Sequence, residues 1–125
     1  MEGVAFGLRD SLEALRATGA KTGPLYLLGG GATSRYWGRL VASVLGIQLM
    51  LPRAGEFGAA LGAARLAMVA TSGKDASEVM HAPFDVEHVD PQEELLELFE
   101  KAYERFKSAY TGVSPVERTN DGRIE

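Results

Sequence analysis

The 125-residue sequence contains no cysteine, no excess of basic side chains and no long apolar run. Without cysteine, the chain cannot form a disulfide bond or a thiolate metal site, and a reducing compartment is compatible with it. The formal net charge of -4 argues against nucleic acids and anionic membranes as partners, because both favour a basic patch. No apolar run approaches the roughly 20 residues that span a bilayer, and residues 1–10 lack the basic and apolar stretches of a signal peptide. We therefore predict a cytoplasmic protein.

Length and composition predict one globular domain. The apolar fraction of 46% and the charged fraction of 24% are ordinary for a chain that buries a core in water. A chain of 125 residues can form one such core, but it is too short for two lobes with a cleft between them.

Hydrophobic periodicity predicts an α/β fold with the order α-β-α-β-α-loop-α. The predicted elements are a helix over residues 3–18, a strand over 25–28, a helix from Thr33 or Ser34 to Gly46, a strand over 47–51, a helix over about 55–71, and a last helix with Asp90 as its N-cap. Residues 72–89 have no regular pattern. This order implies parallel strands that are joined by a crossover helix.

Side-chain spacing also predicts which helix faces are buried. The apolar face of the first helix is expected to comprise Val4, Leu8, Leu12 and Leu15. Asp10 and Glu13 are expected on its solvated face. Trp37 falls on the apolar period of the second helix, which favours a place in the core over a surface on which adenine stacks.

The glycine-rich segment between the first strand and the second helix is the strongest functional signal. Gly29, Gly30, Gly31 and Ala32 follow the strand, and a helix begins at once. Glycines permit a sharp turn and a close ligand approach, and the N–H groups at a helix start suit a phosphate or a nucleotide. A tight turn without a ligand is the alternative. Ser34 stands where the dinucleotide motif needs glycine, and the P-loop sequence Gly-Lys-Ser/Thr is absent.

The remaining polar residues predict no catalytic residue and no metal ligand. His81 and His88 lie seven residues apart without nearby cysteine, which is not a metal signature, and both are expected at the surface. Glu56 opens a helix, where a negative charge suits the helix dipole. The acidic residues of the last helix are typical of a solvated face.

Two segments resemble the adenosine-binding C-terminal region of FGGY carbohydrate kinases. They are Leu27-Leu28-Gly29-Gly30-Gly31-Ala32-Thr33-Ser34-x-x-Trp37 and Glu56-x-x-Ala59-x-Leu61-Gly62-Ala63-Ala64-x-Leu66-Ala67. Residues 2–6 also resemble the xylulose kinase branch of that family. The resemblance implies a partial actin-like (ribonuclease H-like) ATPase domain over residues 1–111, incomplete by itself, followed by a polar and disordered tail over residues 112–125.

The resemblance also assigns candidate nucleotide-binding residues. Those assigned are Gly30 and Gly31 beside the ATP phosphates, Ala32 and Ser34 at the helix start, and Arg35 near the adenosine moiety. Gly62 and Ala63 match small residues that pack near the nucleotide. Arg39 and Ser43 replace the glutamine and aspartate that relatives often carry, which puts the detailed nucleotide contacts in doubt.

The function implied is transfer of the ATP γ-phosphate to a sugar hydroxyl, with D-xylulose as the expected acceptor and D-xylulose 5-phosphate as the product. Mg²⁺ is implied for the complete enzyme, with its ligands outside this chain. The family's first phosphate loop, Asp-x-Gly-Thr, does not occur here, so the isolated chain is expected to be inactive. A non-catalytic nucleotide-binding or protein-interaction module is the alternative. The open sheet edge expected in such a fragment predicts a homo-oligomer.

Overall fold

The computed structural model describes residues 1–53, 55–83 and 85–111, and these form helices around a small sheet. The helices are α1 (Glu2–Ala17), α2 (Arg35–Leu45), α3 (Gly58–Ser72), α4 (Ala76–Val79) and α5 (Glu93–Thr111). The strands are β1 (Leu25–Tyr26), β2 (Leu49–Pro52) and β3 (Val86–Val89), and 3₁₀ turns occupy Gly30–Thr33 and Gly55–Phe57. The tail predicted for residues 112–125 lies outside the described residues.

The sheet has the order β1-β2-β3 and is mixed. β1 and β2 run parallel with Leu25 opposite Leu49, which confirms the predicted parallel pair. β3 runs antiparallel to β2, with Val89 opposite Leu49. The prediction of parallel strands alone, with residues 72–89 irregular, is therefore wrong at this strand and at α4. β3 is only four residues long, so pairing with β2 rather than a local pattern defines it.

The hydrophobic core lies between one face of the sheet and the helices α1, α2 and α5. α2 buries Val41 and Val44, while α5 contributes Phe99 and Tyr103. Each such side chain stabilises the fold by roughly 1.5–3 kcal/mol relative to exposure. Trp37 is half-buried and packs against this core, as its position in the helical period predicts.

The buried face of α1 differs from the predicted one. Val4, Leu8 and Leu15 are exposed, whereas Ala5 and Phe6 are buried. The reason is the aromatic surface of α5: the Phe6 ring centroid lies 6.4, 6.1 and 5.6 Å from the ring centroids of Phe99, Tyr103 and Phe106, respectively. Large aromatic side chains contribute most to burial, so they set the rotation of α1 about its axis.

The same rotation brings polar residues of α1 against α5. The Tyr103 hydroxyl lies 3.1 Å from both Asp10 Oδ1 and Glu13 Oε2 and donates to these carboxylates. The Arg9 guanidinium donates to Glu13 Oε1 at 3.0 Å and to Glu100 Oε2 at 2.6 Å. Asp10 and Glu13 are exposed as predicted, but they also hold a buried tyrosine, which their position on the helix alone did not indicate.

The helix starts show one confirmed and one incorrect N-cap prediction. Ser34 Oγ accepts a hydrogen bond from the Trp37 N–H at 3.2 Å, which makes Ser34 the N-cap of α2. Asp90 does not cap α5, because that helix begins at Glu93. Instead, Asp90 Oδ1 accepts a hydrogen bond of 2.6 Å from the Gln48 side chain, which joins the end of β3 to the start of β2.

α3 lies apart from the core. None of its fifteen residues is buried among the described residues. Its first residue lies near the segment after β1, since a Cβ at Gly58 would lie 3.5 Å from the Leu28 side chain. Within the described part of the chain, no helix has both the length and the apolarity needed to cross a membrane.

Candidate functional site

The glycine turn connects the end of β1 to α2. Gly29 has φ of 88° and ψ of -179°, a conformation that side-chain-bearing residues rarely adopt. Its N–H donates to the Gly55 carbonyl at 2.9 Å, and its carbonyl accepts from the Ala32 N–H at 2.9 Å. Gly30 and Gly31 open the 3₁₀ turn that follows, a position where N–H groups have no acceptor within their own helix. These two amides follow the carboxyl end of β1.

The two glycines at the start of this turn have different surroundings. A Cβ placed on Gly30 would meet nothing within 4 Å, whereas one on Gly31 would lie 3.0 Å from Cδ1 and 3.1 Å from Nε1 of Trp37. Gly31 is thus required in part by the packing of the indole ring. Gly30 has no such internal restriction among the described atoms, so a restriction at this position would have to come from a bound molecule.

Both hydroxyl side chains of the turn are used to hold its shape. Thr33 Oγ1 donates to the Gly30 carbonyl at 2.8 Å, and Ser34 Oγ accepts from the Trp37 N–H. Ser34 therefore fixes the first turn of α2. It would act on a ligand only by positioning the backbone.

A polar cavity of about 370 Å³ opens beside the turn, at the carboxyl end of β2 and the start of β3. Its lining includes two exposed arginines, each paired with an acidic residue from the β3 region. Arg35 Nη2 lies 3.1 Å from Glu87 Oε1, and Arg53 Nε lies 3.2 Å from Asp85 Oδ2. Glu87 supplies the anion that offsets a cation in the first turn of a helix.

Arg53, Asp85 and Glu87 did not emerge as site residues from the sequence. Asp85 lies directly before β3 and Glu87 lies within it, and the pairing of this strand was not predicted. A charged residue directly after a strand is the signal that could have indicated Arg53, because ligands of α/β proteins bind at strand carboxyl ends.

A second cavity, of about 340 Å³, lies between the end of β1 and α3 and is mainly apolar. It shares Pro52, Arg53 and Asp85 with the polar cavity, so the two are adjacent. Gly62 lines this cavity, while Ala63 lies on the exposed side of α3. The polar cavity reaches Ala32 and Thr33, and the apolar cavity reaches Leu28 and Gly55. Adjoining polar and apolar surfaces therefore lie beside the turn, an arrangement that suits a ligand with both kinds of surface.

The residue that departs from the family pattern at position 43 has a structural role. Ser43 is buried, its Oγ donates to the Arg39 carbonyl at 2.7 Å, and the same oxygen accepts from the Gln92 N–H at 2.9 Å. This hydroxyl joins α2 to the start of α5.

The two histidines are exposed, as predicted, and Glu56 is exposed in the 3₁₀ turn that precedes α3. His88 Nδ1 lies 2.9 Å from Gln48 Oε1. Within residues 1–53, 55–83 and 85–111, no group of three or more His, Cys, Asp or Glu side chains could hold a metal ion. These residues therefore do not fit a Mg²⁺ site, and no step through the ion follows from them.

Comparison with known proteins identifies the family. The sequence profile of the FGGY family of carbohydrate kinases, C-terminal domain, matches residues 1–71, which include the glycine turn and most of α3. The chain belongs to this family.

The relatives within the family are xylulose kinases. The chain is 34% identical over 118 residues to the xylulose kinase of Escherichia coli K12, covering 93% of this chain and 24% of that protein. It is 37% identical over 106 residues to the Klebsiella pneumoniae xylulose kinase, covering 76% and 22%. Among solved structures, a xyloylose kinase from Brucella ovis matches with a TM-score of 0.75 and 39% identity, covering 88% of this chain and 23% of that one. The chain spans about a quarter of the length of these relatives.

Proposed function

We propose that this chain forms the nucleotide-binding part of an ATP-dependent sugar kinase that transfers the γ-phosphate to a hydroxyl of D-xylulose. The observation that carries this proposal is that the family match includes the glycine turn and the start of the helix that it caps. The similarity to xylulose kinases supports the acceptor sugar. Residues 1–111 are proposed as the family domain.

In this proposal, the residues around the turn bind and orient ATP. The N–H groups of Gly30 and Gly31 donate to phosphate oxygens, while Ala32 and Ser34 set the direction of α2. Arg35, near the polar cavity, exchanges part of its contact with Glu87 for the nucleotide, since a guanidinium at an exposed ion pair is readily redirected. When bound, ATP supplies the phosphoryl group, and the metal ion that accompanies it is held by other parts of a complete kinase.

The turn is best tested at Gly30, because a side chain there meets no protein atom within 4 Å and the φ angle is not positive. We expect Gly30→Val to weaken ATP binding at least tenfold by blocking the backbone approach. Gly23→Val is the matched control, since Gly23 is equally unobstructed and lies before β1. The fluorescence of Trp37, the only tryptophan, reports binding in a titration with ATP. Equal affinity of both variants would remove the turn from the site.

Gly31→Val is a less specific test, because the new side chain would press on Trp37. Loss of binding in that variant would combine a blocked ligand with a displaced indole. Comparing its free energy of unfolding with that of Gly30→Val separates the two effects.

Catalysis is expected to need residues that this sequence does not contain. A coupled ADP-release assay with D-xylulose should show no sugar-dependent turnover by the 125-residue chain, since Asp-x-Gly-Thr is absent from it. Turnover at a rate ordinary for kinases would contradict the assignment of catalysis to other segments. The chain can also replace its counterpart in a xylulose kinase. If that chimera binds ATP but shows no turnover, the result would favour the non-catalytic module instead.

A further inference from the structure

The polar cavity beside the glycine turn is lined by balanced charges. Its charged side chains are those of Arg35, Arg53, Asp85 and Glu87, two positive and two negative. A site that attracts a phosphate chain is typically lined by positive charge, whereas here each guanidinium already lies beside a carboxylate. The balance favours a neutral ligand group that offers hydrogen-bond donors as well as acceptors, because carboxylates only accept and guanidinium groups only donate.

The position of the cavity indicates which part of a nucleotide this neutral group is. Ala32 and Thr33 line the cavity, and they directly follow Gly31 in the chain. A phosphate chain held by the amides of Gly30 and Gly31 therefore has this cavity beside it. In ATP, the group joined to the phosphate chain is the ribose, which is neutral and has two free hydroxyls.

Glu87 is the acidic residue that is best placed to meet a ribose hydroxyl. It is held opposite Leu51 by the pairing of β3 with β2, and its Oε1 lies 3.1 Å from Arg35 Nη2 in the first turn of α2. Asp85 is instead paired with Arg53, and both of these residues also line the apolar cavity. Glu87 lines only the polar side, next to the helix that the turn precedes.

The ion pair between Arg35 and Glu87 can change partners at low cost. The two side chains are 74% and 52% exposed, and exposed ion pairs contribute little to stability. When the guanidinium turns toward a bound nucleotide, the carboxylate loses a hydrogen-bond donor. A ribose hydroxyl replaces that donor, whereas an ionised phosphate has none to offer.

We infer that Glu87 accepts a hydrogen bond from a ribose hydroxyl of the bound nucleotide and makes the site selective for ribonucleotides, an inference that rests on the proposed function. Glu87 lies outside residues 1–71, which match the family profile, so the profile match does not assign this role. An acidic side chain on a ribose hydroxyl is known from dinucleotide-binding folds. The competing ligand group is the exocyclic amino group of adenine, the one N–H donor of that base.

The test compares the affinities of ATP, 2′,3′-dideoxy-ATP and ITP through the fluorescence of Trp37. The dideoxy nucleotide lacks both ribose hydroxyls, and ITP keeps them but has a carbonyl in place of the amino group of adenine. Glu87→Ala removes the carboxylate. Glu97→Ala is the matched control, since Glu97 also forms an exposed ion pair, with Lys101 on α5. Circular dichroism checks that each variant keeps the fold.

We expect the wild type and Glu97→Ala to bind ATP about tenfold more tightly than 2′,3′-dideoxy-ATP, the lower end for a hydrogen bond to a charged group. In Glu87→Ala, the two affinities should agree within about twofold, because the acceptor is gone. The ratio of ATP to ITP affinity should be the same in all three proteins. These ratios cancel any general change in phosphate binding that follows the release of Arg35, since all three nucleotides carry the same phosphates.

The outcomes separate this inference from the proposed function. Equal binding of ATP and 2′,3′-dideoxy-ATP to the wild type would overturn the inference while keeping ATP as a ligand. A changed ratio of ATP to ITP in Glu87→Ala would overturn it by assigning the carboxylate to the base. Discrimination that survives in Glu87→Ala would also overturn it, and its loss in Asp85→Ala would then move the role to Asp85. Absence of ATP binding to the wild type would contradict the proposed function itself, and the inference with it.

Discussion

Helices α3 and α5 have opposite compositions and opposite environments. α5 is strongly charged along its length, yet it buries Phe99 and Tyr103 in the core. α3 carries a single charged residue, yet none of its residues is buried among the described ones. The difference shows that apolarity sets the tendency of a helix to be enclosed, while the presence of a facing surface decides whether it is. α5 meets α1 and α2, whereas α3 meets mainly α4 and the turn before it.

The two sides also differ in how polar groups are used. On the α5 side, Tyr103 connects to the carboxylates of α1, and the Arg9 guanidinium lies 4.2 Å from the centroid of its ring. On the α3 side, the main-chain carbonyl of His81 accepts a hydrogen bond of 3.0 Å from Arg65 at the exposed surface. Substitutions on the α5 side should therefore lower the free energy of unfolding more than substitutions on the α3 side. Pairs of matched substitutions measure this difference.

The largest contrast is expected between two leucines in α-helices. Leu40 in α2 is 6% exposed, and Leu66 in α3 is 64% exposed. We expect Leu40→Ala to lower the free energy of unfolding by about 2–5 kcal/mol, because it leaves a cavity in the core, and Leu66→Ala by less than about 0.5 kcal/mol. Urea unfolding followed by circular dichroism measures both. A similar loss for the two variants would mean that α3 is packed against something in solution.

Removing the Tyr103 hydroxyl should have the next largest effect. Tyr103→Phe loses the hydrogen bond shared by Asp10 and Glu13, at an expected cost of about 1–2 kcal/mol in the free energy of unfolding. Tyr36→Phe, at an exposed position, is the control and should change little.

The same hydroxyl predicts an alkaline dependence. Burial, followed by the carboxylate acceptors Asp10 and Glu13, raises the pKa of Tyr103 well above its usual range. A raised pKa stabilises the fold below the unfolded-state value of about 10, and that contribution declines as the pH rises above it. Urea titrations from pH 9 upward should show a steeper loss of stability for the wild type than for Tyr103→Phe. Parallel curves would exclude the tyrosine as the cause.

The helix caps offer a smaller contrast of the same kind. Ser34→Ala removes the N-cap of α2 and should cost about 1 kcal/mol of unfolding free energy. Asp75 caps α4 by accepting from the Ser77 N–H at 2.8 Å, but α4 is a single turn on the less packed side. Asp75→Ala should therefore change global stability by less than about 0.5 kcal/mol, because α4 can open locally without unfolding the core. Hydrogen exchange distinguishes local opening of α4 from global unfolding. A loss of global stability in Asp75→Ala would show that α4 belongs to the cooperative core.

The smallest effect concerns an exposed carboxylate of the packed side. Burial would raise the pKa of Glu13, but hydrogen bonds from Arg9 and Tyr103 outweigh it, so the pKa is lowered. The stability that ionised Glu13 contributes to the fold is present at pH values above the ordinary glutamate pKa. It is lost as the pH falls through the lowered pKa of the folded state. Glu13→Gln should flatten the acid side of the stability curve by less than about 1 kcal/mol, since solvent screens this group. Glu97→Gln is the control, because Glu97 forms an exposed ion pair with Lys101. An equal change in the acid side of the stability curve for both variants would show that Glu13 makes no special contribution.

Local patterns predicted the elements with strong signals. The parallel pair of β1 and β2, the glycine turn and the N-cap Ser34 could all be read from short stretches of sequence, because glycine, capping serine and apolar periodicity act within a few residues. The candidate site was predicted at the turn for the same reason. Its opposite wall, with Arg53, Asp85 and Glu87, was not, because those residues come together only when β3 pairs with β2.

The sequence by itself determined where the glycine turn lies and which residues form most of the helices. Only the tertiary structure decided which side of α1 is buried, since that helix is apolar on more than one face and the aromatic rings of α5 selected the face with Phe6. It also decided that Asp90 binds Gln48 instead of capping α5, and that Ser43 holds two helices together. Such choices depend on partners distant in the chain, and neither helical period nor residue preference encodes which distant surface will be present.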